Sequence, residues 1–150
     1  MQAEPEEVIA FTVPYLVPPS NNHYKRPCRY TGRDGYSHMG FKLTKEAKAY
    51  YDAVAIFARG RTVSPATDSE RRRVRYTVQI DVYLGERQRG DADNFLKCGI
   101  DALVRCGVIH SDAYVQECRP IVHKDERTNP ENPRTQYLVT RLEETRGKKR

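Results

Sequence analysis

Asp91 and Asp93 stand two residues apart in Gly90-Asp91-Ala92-Asp93-Asn94-Phe95-Leu96-Lys97. Lys97 follows Asp93 by one helical turn, and Asp112 comes five residues after Gly107. Carboxylates spaced in this way can serve phosphodiester hydrolysis. A hard divalent cation wants oxygen ligands, and Mg²⁺ usually takes one or two protein carboxylates, leaving positions for water and phosphate oxygens. On locally extended backbone Asp91 and Asp93 point to the same side and can share an ion. Such an ion acidifies water and offsets charge in the transition state. Lys97 beside the carboxylates can stabilise the same charge or the leaving oxygen. Spacing alone leaves a plainer reading open. Asp91 or Asp93 can be an N-cap, Asp93, Lys97, Asp101 and Arg105 can form an exposed ladder of alternating sign, and Asp112 can simply begin a turn.

The elements around the motif are legible to different degrees. Val8 to Tyr15 reads as a strand that stops at Val17-Pro18-Pro19. Residues 20 to 39 show no sustained period and mix cations, amides and aromatics, so Asn22, Tyr24, Lys25 and Arg26 are candidate DNA contacts. Thr44 can cap a helix that runs to about Arg59, with Gly60 as its stop. Residues 61 to 70 form a linker. Val74, Tyr76, Val78, Ile80, Val82 and Leu84 then alternate with polar residues, the signature of a strand with one face on a core. Arg71, Arg73 and Arg75 are expected on its polar face.

Gly85 ends that strand, and Arg87 and Arg89 lead into the acidic motif, where they would draw a DNA backbone towards the acids. The motif helix is expected from about Asp93 to Cys106, with Gly107 as its left-handed terminal residue and Gly99 allowing a close approach. Strands are expected over 114 to 124 and 136 to 142, with a polar loop between. Residues 1 to 7 and the basic tail 143 to 150 are expected to be flexible. The fold class is therefore α+β: a single domain over residues 1 to 150, a mixed sheet of about four strands with two main helices, in the order β-α-β-α-β-β.

This geometry sets a reach condition on Asp112. A helix from Asp93 to Cys106 spans about 20 Å, and six extended steps to Asp112 cover at most about 20 Å. If the helix has that full length, Asp112 rejoins Asp93 only if the chain turns straight back along it. Side-chain length and a shorter helix would relax this condition, and otherwise Asp112 would complete the site of another subunit.

A formal charge of +6 over 150 residues and a pI of about 9.2 favour a polyanionic partner. No apolar run approaches the roughly 20 residues that a membrane helix needs. The start, Met1-Gln-Ala-Glu, lacks the basic-then-apolar order of a secretory signal. Cys28, Cys98, Cys106 and Cys118 are accordingly expected as reduced cytosolic thiols. The spacing of Cys98, Cys106 and His110 fits no common zinc pattern.

Asp91-Ala92-Asp93-Asn94-x-x-Lys97, Asp101-Ala102-Leu103, Gly107-Val108 and Asp112 with Val115 resemble the core motif of the RusA-type Holliday junction resolvases, endodeoxyribonucleases of bacteria and their phages. Pro18-Pro19-Ser20-Asn21-Asn22-x-Tyr24 resembles their N-terminal signature, and the likeness covers roughly residues 15 to 124. It implies a cytoplasmic homodimer that depends on Mg²⁺, with Mn²⁺ as a substitute, and uses no nucleotide cofactor. The implied activity is paired symmetric nicking of four-way DNA junctions in recombination and repair, leaving 5′-phosphate and 3′-hydroxyl ends. The resemblance implies Asp91, Asp93 and Asp112 at the metal, Lys97 as an essential cation and Asn94 among the DNA contacts. Two positions depart from it: Ser111 stands where an acid can precede Asp112, and Gly90 where an arginine can precede the first acid. A non-catalytic DNA-binding module and a metal nuclease for flaps or other branched DNA are the alternative readings.

Overall fold

Alternation is realised most fully in the strand that carries the sheet. The computed structural model describes residues 5–19, 25–125 and 127–143. Strand β4 (Val74–Tyr83) buries Val74, Tyr76, Val78, Ile80 and Val82 while the intervening residues remain half-buried. It pairs antiparallel with β6 (Arg134–Glu143) on one side and parallel with β5 (Val115–His123) on the other. Strand β1 (Pro5–Val13) adds to the far side of β6, giving the order β1-β6-β4-β5. A mixed four-stranded sheet in a single α+β domain is the architecture expected from the sequence.

Helices α1 (Lys45–Ala58) and α3 (Leu96–Arg105) close one face of the sheet, and α2 (Asp68–Arg71) is a single turn. Fully buried Ile80 and Leu103 each contribute about 1.5–3 kcal/mol by leaving water. Where α3 comes down on the sheet, a Cβ on Gly99 would sit 2.9 Å from Cδ1 of Ile80, so glycine sets the depth of packing. The carbonyl of Gly99 accepts from the Tyr137 hydroxyl at 3.4 Å, and the Tyr50 hydroxyl lies 2.6 Å from that of Tyr137. Buried phenols with no partner would cost about 1–3 kcal/mol each. Burial also pushes both of their pKa values up, so the relay stays neutral.

Helix α1 begins as expected: Thr44 Oγ1 accepts from the Ala47 amide at 3.1 Å. It ends on a left-handed Arg59 (φ 55°) followed by a left-handed Gly60 (φ 68°), one residue before the expected stop. Four local expectations need correction. Strand β1 reaches back to Pro5, and β6 includes Glu143, so both strands enter segments expected to be flexible, whose remaining residues 1–4 and 144–150 lie outside the described residues. Arg71 belongs to α2 and gives its Nε to the Pro65 carbonyl at 2.9 Å, leaving the polar strand face. The motif helix starts with a 3₁₀ turn over Ala92–Phe95, and its α-helical part is ten residues long.

The largest departure is a hairpin where no period is visible. Strands β2 (Lys25–Thr31) and β3 (Ser37–Leu43) pair antiparallel as a separate two-stranded sheet. Among the described residues it is mostly exposed, with Leu43 alone packed against the core, so no buried face imposes alternation on its sequence. Among the described residues, no helix is long and apolar enough to cross a membrane.

Candidate active site

A parallel pair requires a crossover, and residues 84–114 supply one that leaves the end of β4, runs through α3 and returns to the start of β5. The outgoing segment carries Asp91 and Asp93. It is closed at its beginning by Gln88, whose side chain accepts from the Gly85 amide at 2.8 Å. Phe95, fully buried, anchors its end, and a Cβ on Gly90 would sit 2.4 Å from Cζ of that ring. Glycine at this position is therefore demanded by contact, which accounts for its place immediately before the first acid.

Asp91 occupies the N-cap position of the 3₁₀ turn on extended backbone, and its carbonyl accepts from the Asn94 amide at 3.0 Å. Neither that turn nor α3 is capped by a side-chain hydrogen bond. The capping explanation of the acidic pair is thus not what the geometry displays. Both carboxylates belong to exposed residues.

The return segment is held very differently. Gly107, at φ 76°, gives its amide to the Val104 carbonyl at 3.1 Å, and Val108 gives its amide to Leu103 at 2.9 Å. These two bonds form a Schellman C-cap, with glycine supplying the left-handed residue. The Val108 carbonyl accepts from the Val63 amide at 3.0 Å, and Val108 and Ile109 are fully buried. His110 Nδ1 lies 2.6 Å from the Tyr76 hydroxyl of β4. Burial, and then the charge of Arg71, lower the pKa of this imidazole. Ser111 caps the 3₁₀ turn Asp112–Tyr114, accepting from the Ala113 amide at 3.2 Å. Asp112 therefore projects from a loop tied to the helix end, to the linker and to the sheet.

This return answers the reach condition. A ten-residue α3 is about 15 Å long, and the chain doubles back beside it. Asp93, Lys97 and Asp112 of one chain consequently border the same open concavity of about 370 Å³, together with Asp101, Glu117 and Cys118. Lys97 Nζ stands 3.6 Å from Asp101 Oδ1, so one rung of the expected charge ladder is present inside the concavity. Four carboxylates against one ammonium make this lining acidic in a basic protein. Burial pushes the Cys118 thiol up to about 11, and the other potential donors of the lining are carboxylate oxygens.

Asp112 and Asp101 also border a second concavity of about 550 Å³, shared with Lys25, Phe41 and Leu43 of the hairpin and Arg105 of α3. Lys25 is thereby brought to the site. Asp91 is not among the lining residues of either concavity. Arg87 borders a separate depression with Arg127 and Asn129, Arg89 is exposed, and Asn94 is half-buried in the turn. Arg26 lies in β2 opposite Lys42, while Asn22 and Tyr24 lie outside the described residues. Among the described residues, no group of three or more His, Cys, Asp or Glu stands ready to hold a metal ion. Cys98, Cys106 and His110 do not assemble as a zinc site: burial raises the Cys98 thiol to about 12, Cys106 Sγ donates to the Tyr51 carbonyl, and His110 faces Tyr76.

Two lining acids escaped the sequence reading. Asp101 carried a signal, since it shares a helix face with Asp93 and Lys97, but the ladder explained it away. Glu117 carried none, because an acid on a strand announces nothing until that strand is placed beside α3. No protein-family model matches the chain, and no curated protein matches it at a significant level.

Proposed function

We propose that the protein is a Mg²⁺-dependent, structure-specific endodeoxyribonuclease that resolves four-way DNA junctions, as its resemblance to the RusA-type resolvases suggests. The observation that carries this reading is the meeting of Asp93, Lys97 and Asp112, distant in sequence, around one open acidic concavity of a single chain. The donor set suits a hard cation, since four carboxylates line the concavity. Asp93 and Asp112 would hold the ion, with Asp91, uncommitted to any cap, as the third carboxylate. A divalent cation there would supply positive charge to the phosphoryl oxygens and acidify water.

The remaining groups act on the DNA. Lys97, restrained by Asp101, is placed to stabilise negative charge at the scissile phosphate. Lys25 neutralises a phosphate beside Asp112. A homodimer suits the task, because a two-fold pair presents two equivalent sites to a roughly two-fold junction.

Labelled junction, flap and linear duplex incubated at one salt concentration, with Mg²⁺ or with EDTA, test the proposal. Paired nicks restricted to the junction and dependent on Mg²⁺ are expected. Junction binding with no nicks would favour the DNA-binding module, and equal cutting of flaps would favour a broader branched-DNA nuclease.

A further inference from the structure

The β2–β3 hairpin presents two unlike faces. Register places Lys25 opposite Leu43, Pro27 opposite Phe41 and Arg29 opposite Met39, so these six residues share one face. On that face Phe41 is 73% exposed and Met39 66% exposed. On the other face Tyr30, still 54% exposed, is committed to its neighbours: it stacks on His38 with ring centroids 5.5 Å apart, and a Cβ on Gly40 would meet its ring at 2.9 Å.

Exposing an aromatic ring and a methionine side by side wastes burial energy in a free monomer and marks a contact surface. The occupant is indicated by charge and by position. Residues 25 to 43 contain five Lys and Arg (Lys25, Arg26, Arg29, Arg33 and Lys42) against a single acid, Asp34. The base of the apolar face, at Phe41 and Lys25, borders the same concavity as Asp112. A cationic, aromatic surface continuous with the candidate cleavage site fits DNA in which a base-pair face is open to stacking. A protein partner would have to meet the same concentration of positive charge.

Resting on the junction-nuclease reading, we infer that this hairpin face is the branch-recognition element. Phe41, supported by Met39, stacks on the base pair exposed at the junction centre. Lys25 and Arg29 grip the phosphates on either side, and the scissile phosphate is thereby carried to Asp112. Ring stacking rewards an open base-pair face, which a branch point presents and a continuous duplex does not. Phosphate contacts serve both kinds of DNA equally. Selectivity therefore resides in Phe41, and general affinity in the two cations.

The test is equilibrium binding of the full-length protein in EDTA, so that cleavage is not required, to a junction with 2-aminopurine at its branch point and to a linear duplex at the same salt. Phe41→Ala should weaken junction binding about tenfold, abolish the fluorescence change at the branch, and leave duplex binding within about twofold. Phe41→Trp should restore the junction preference. Tyr30→Ala, on the opposite face and away from the concavity of Asp112, should leave it unchanged, whereas Lys25→Ala with Arg29→Ala should weaken both substrates alike. If the wild type prefers the junction and Phe41→Ala does so equally, the inference is overturned while the nuclease reading stands. If the wild type shows no preference for the junction, the reading beneath it fails and the inference falls with it. A change of oligomeric state in Phe41→Ala with unaltered DNA binding would also overturn the inference, assigning this face to a second copy of the chain.

Discussion

The segments that present Asp93 and Asp112 reach the same concavity with opposite mechanical characters. Residues 106–112 are bound to α3 by a Schellman cap, to the linker through Val63 and Val108, and to β4 through Tyr76 and His110. Residues 85–95 are closed by Gln88 and wedged by Phe95 against Gly90, with no side chain capping the turn. Asp112 projects from a loop bonded to helix, linker and sheet, while Asp91 and Asp93 ride on a turn held chiefly by the packing of Phe95 against Gly90. A site built in this way needs no preformed cluster of three acids. Under the proposed function, Asp112 would supply the more firmly anchored oxygen donor, and the turn of Asp91 and Asp93 the neighbour that closes on the ion.

Several substitutions would break or sharpen this contrast. The largest effects are expected from the acids themselves. Asp93→Asn and Asp112→Asn should each lower junction cleavage at saturating Mg²⁺ by at least about 100-fold, with junction binding retained. Asp91→Asn should fall with them if its turn closes on the ion; a wild-type rate would remove Asp91 from the set of carboxylate ligands. Lys97→Ala should reduce the single-turnover rate by about 100-fold with little change in binding, and a loss confined to affinity would make Lys97 only a phosphate contact.

The two glycines separate the segments more finely. Gly90→Ala should cost about 1–3 kcal/mol in denaturant unfolding, because the added carbon collides with a buried ring. Gly107→Ala should cost about 1–2 kcal/mol, because the penalty lies in the left-handed backbone. Asparagine tells the two causes apart: Gly107→Asn should recover most of the loss, as Asn tolerates this conformation, whereas Gly90→Asn should be no better than alanine. The smallest effect is expected from Tyr76→Phe, about 1 kcal/mol, with amide exchange accelerated over residues 108–113 and unchanged over residues 85–95.

What could be read in advance followed from which residues are covered. Strand β4 was legible because a core on one face imposes a two-residue period. Gly99 and Gly107 were legible because close packing and a left-handed helix end each leave a glycine at a helical position. The hairpin was not, since a mostly exposed two-stranded arm places Arg29 and Met39 on one face and no period results. The 3₁₀ start of the motif was hidden by Asp91, whose type and place suit a cap that it does not make. The meeting of Asp93 with Asp112 was legible only as a condition on reach. The shorter helix and the parallel return of β5 satisfy it within one chain.

The most direct test mixes single variants on a labelled four-way junction in Mg²⁺. Wild type should nick the junction, and Asp93→Asn and Asp112→Asn should each fail. Their mixture should also fail, because both carboxylates of a site come from the same chain. Cleavage by either variant at the wild-type rate, or its recovery on mixing, would contradict a site assembled within one protomer from Asp93 and Asp112.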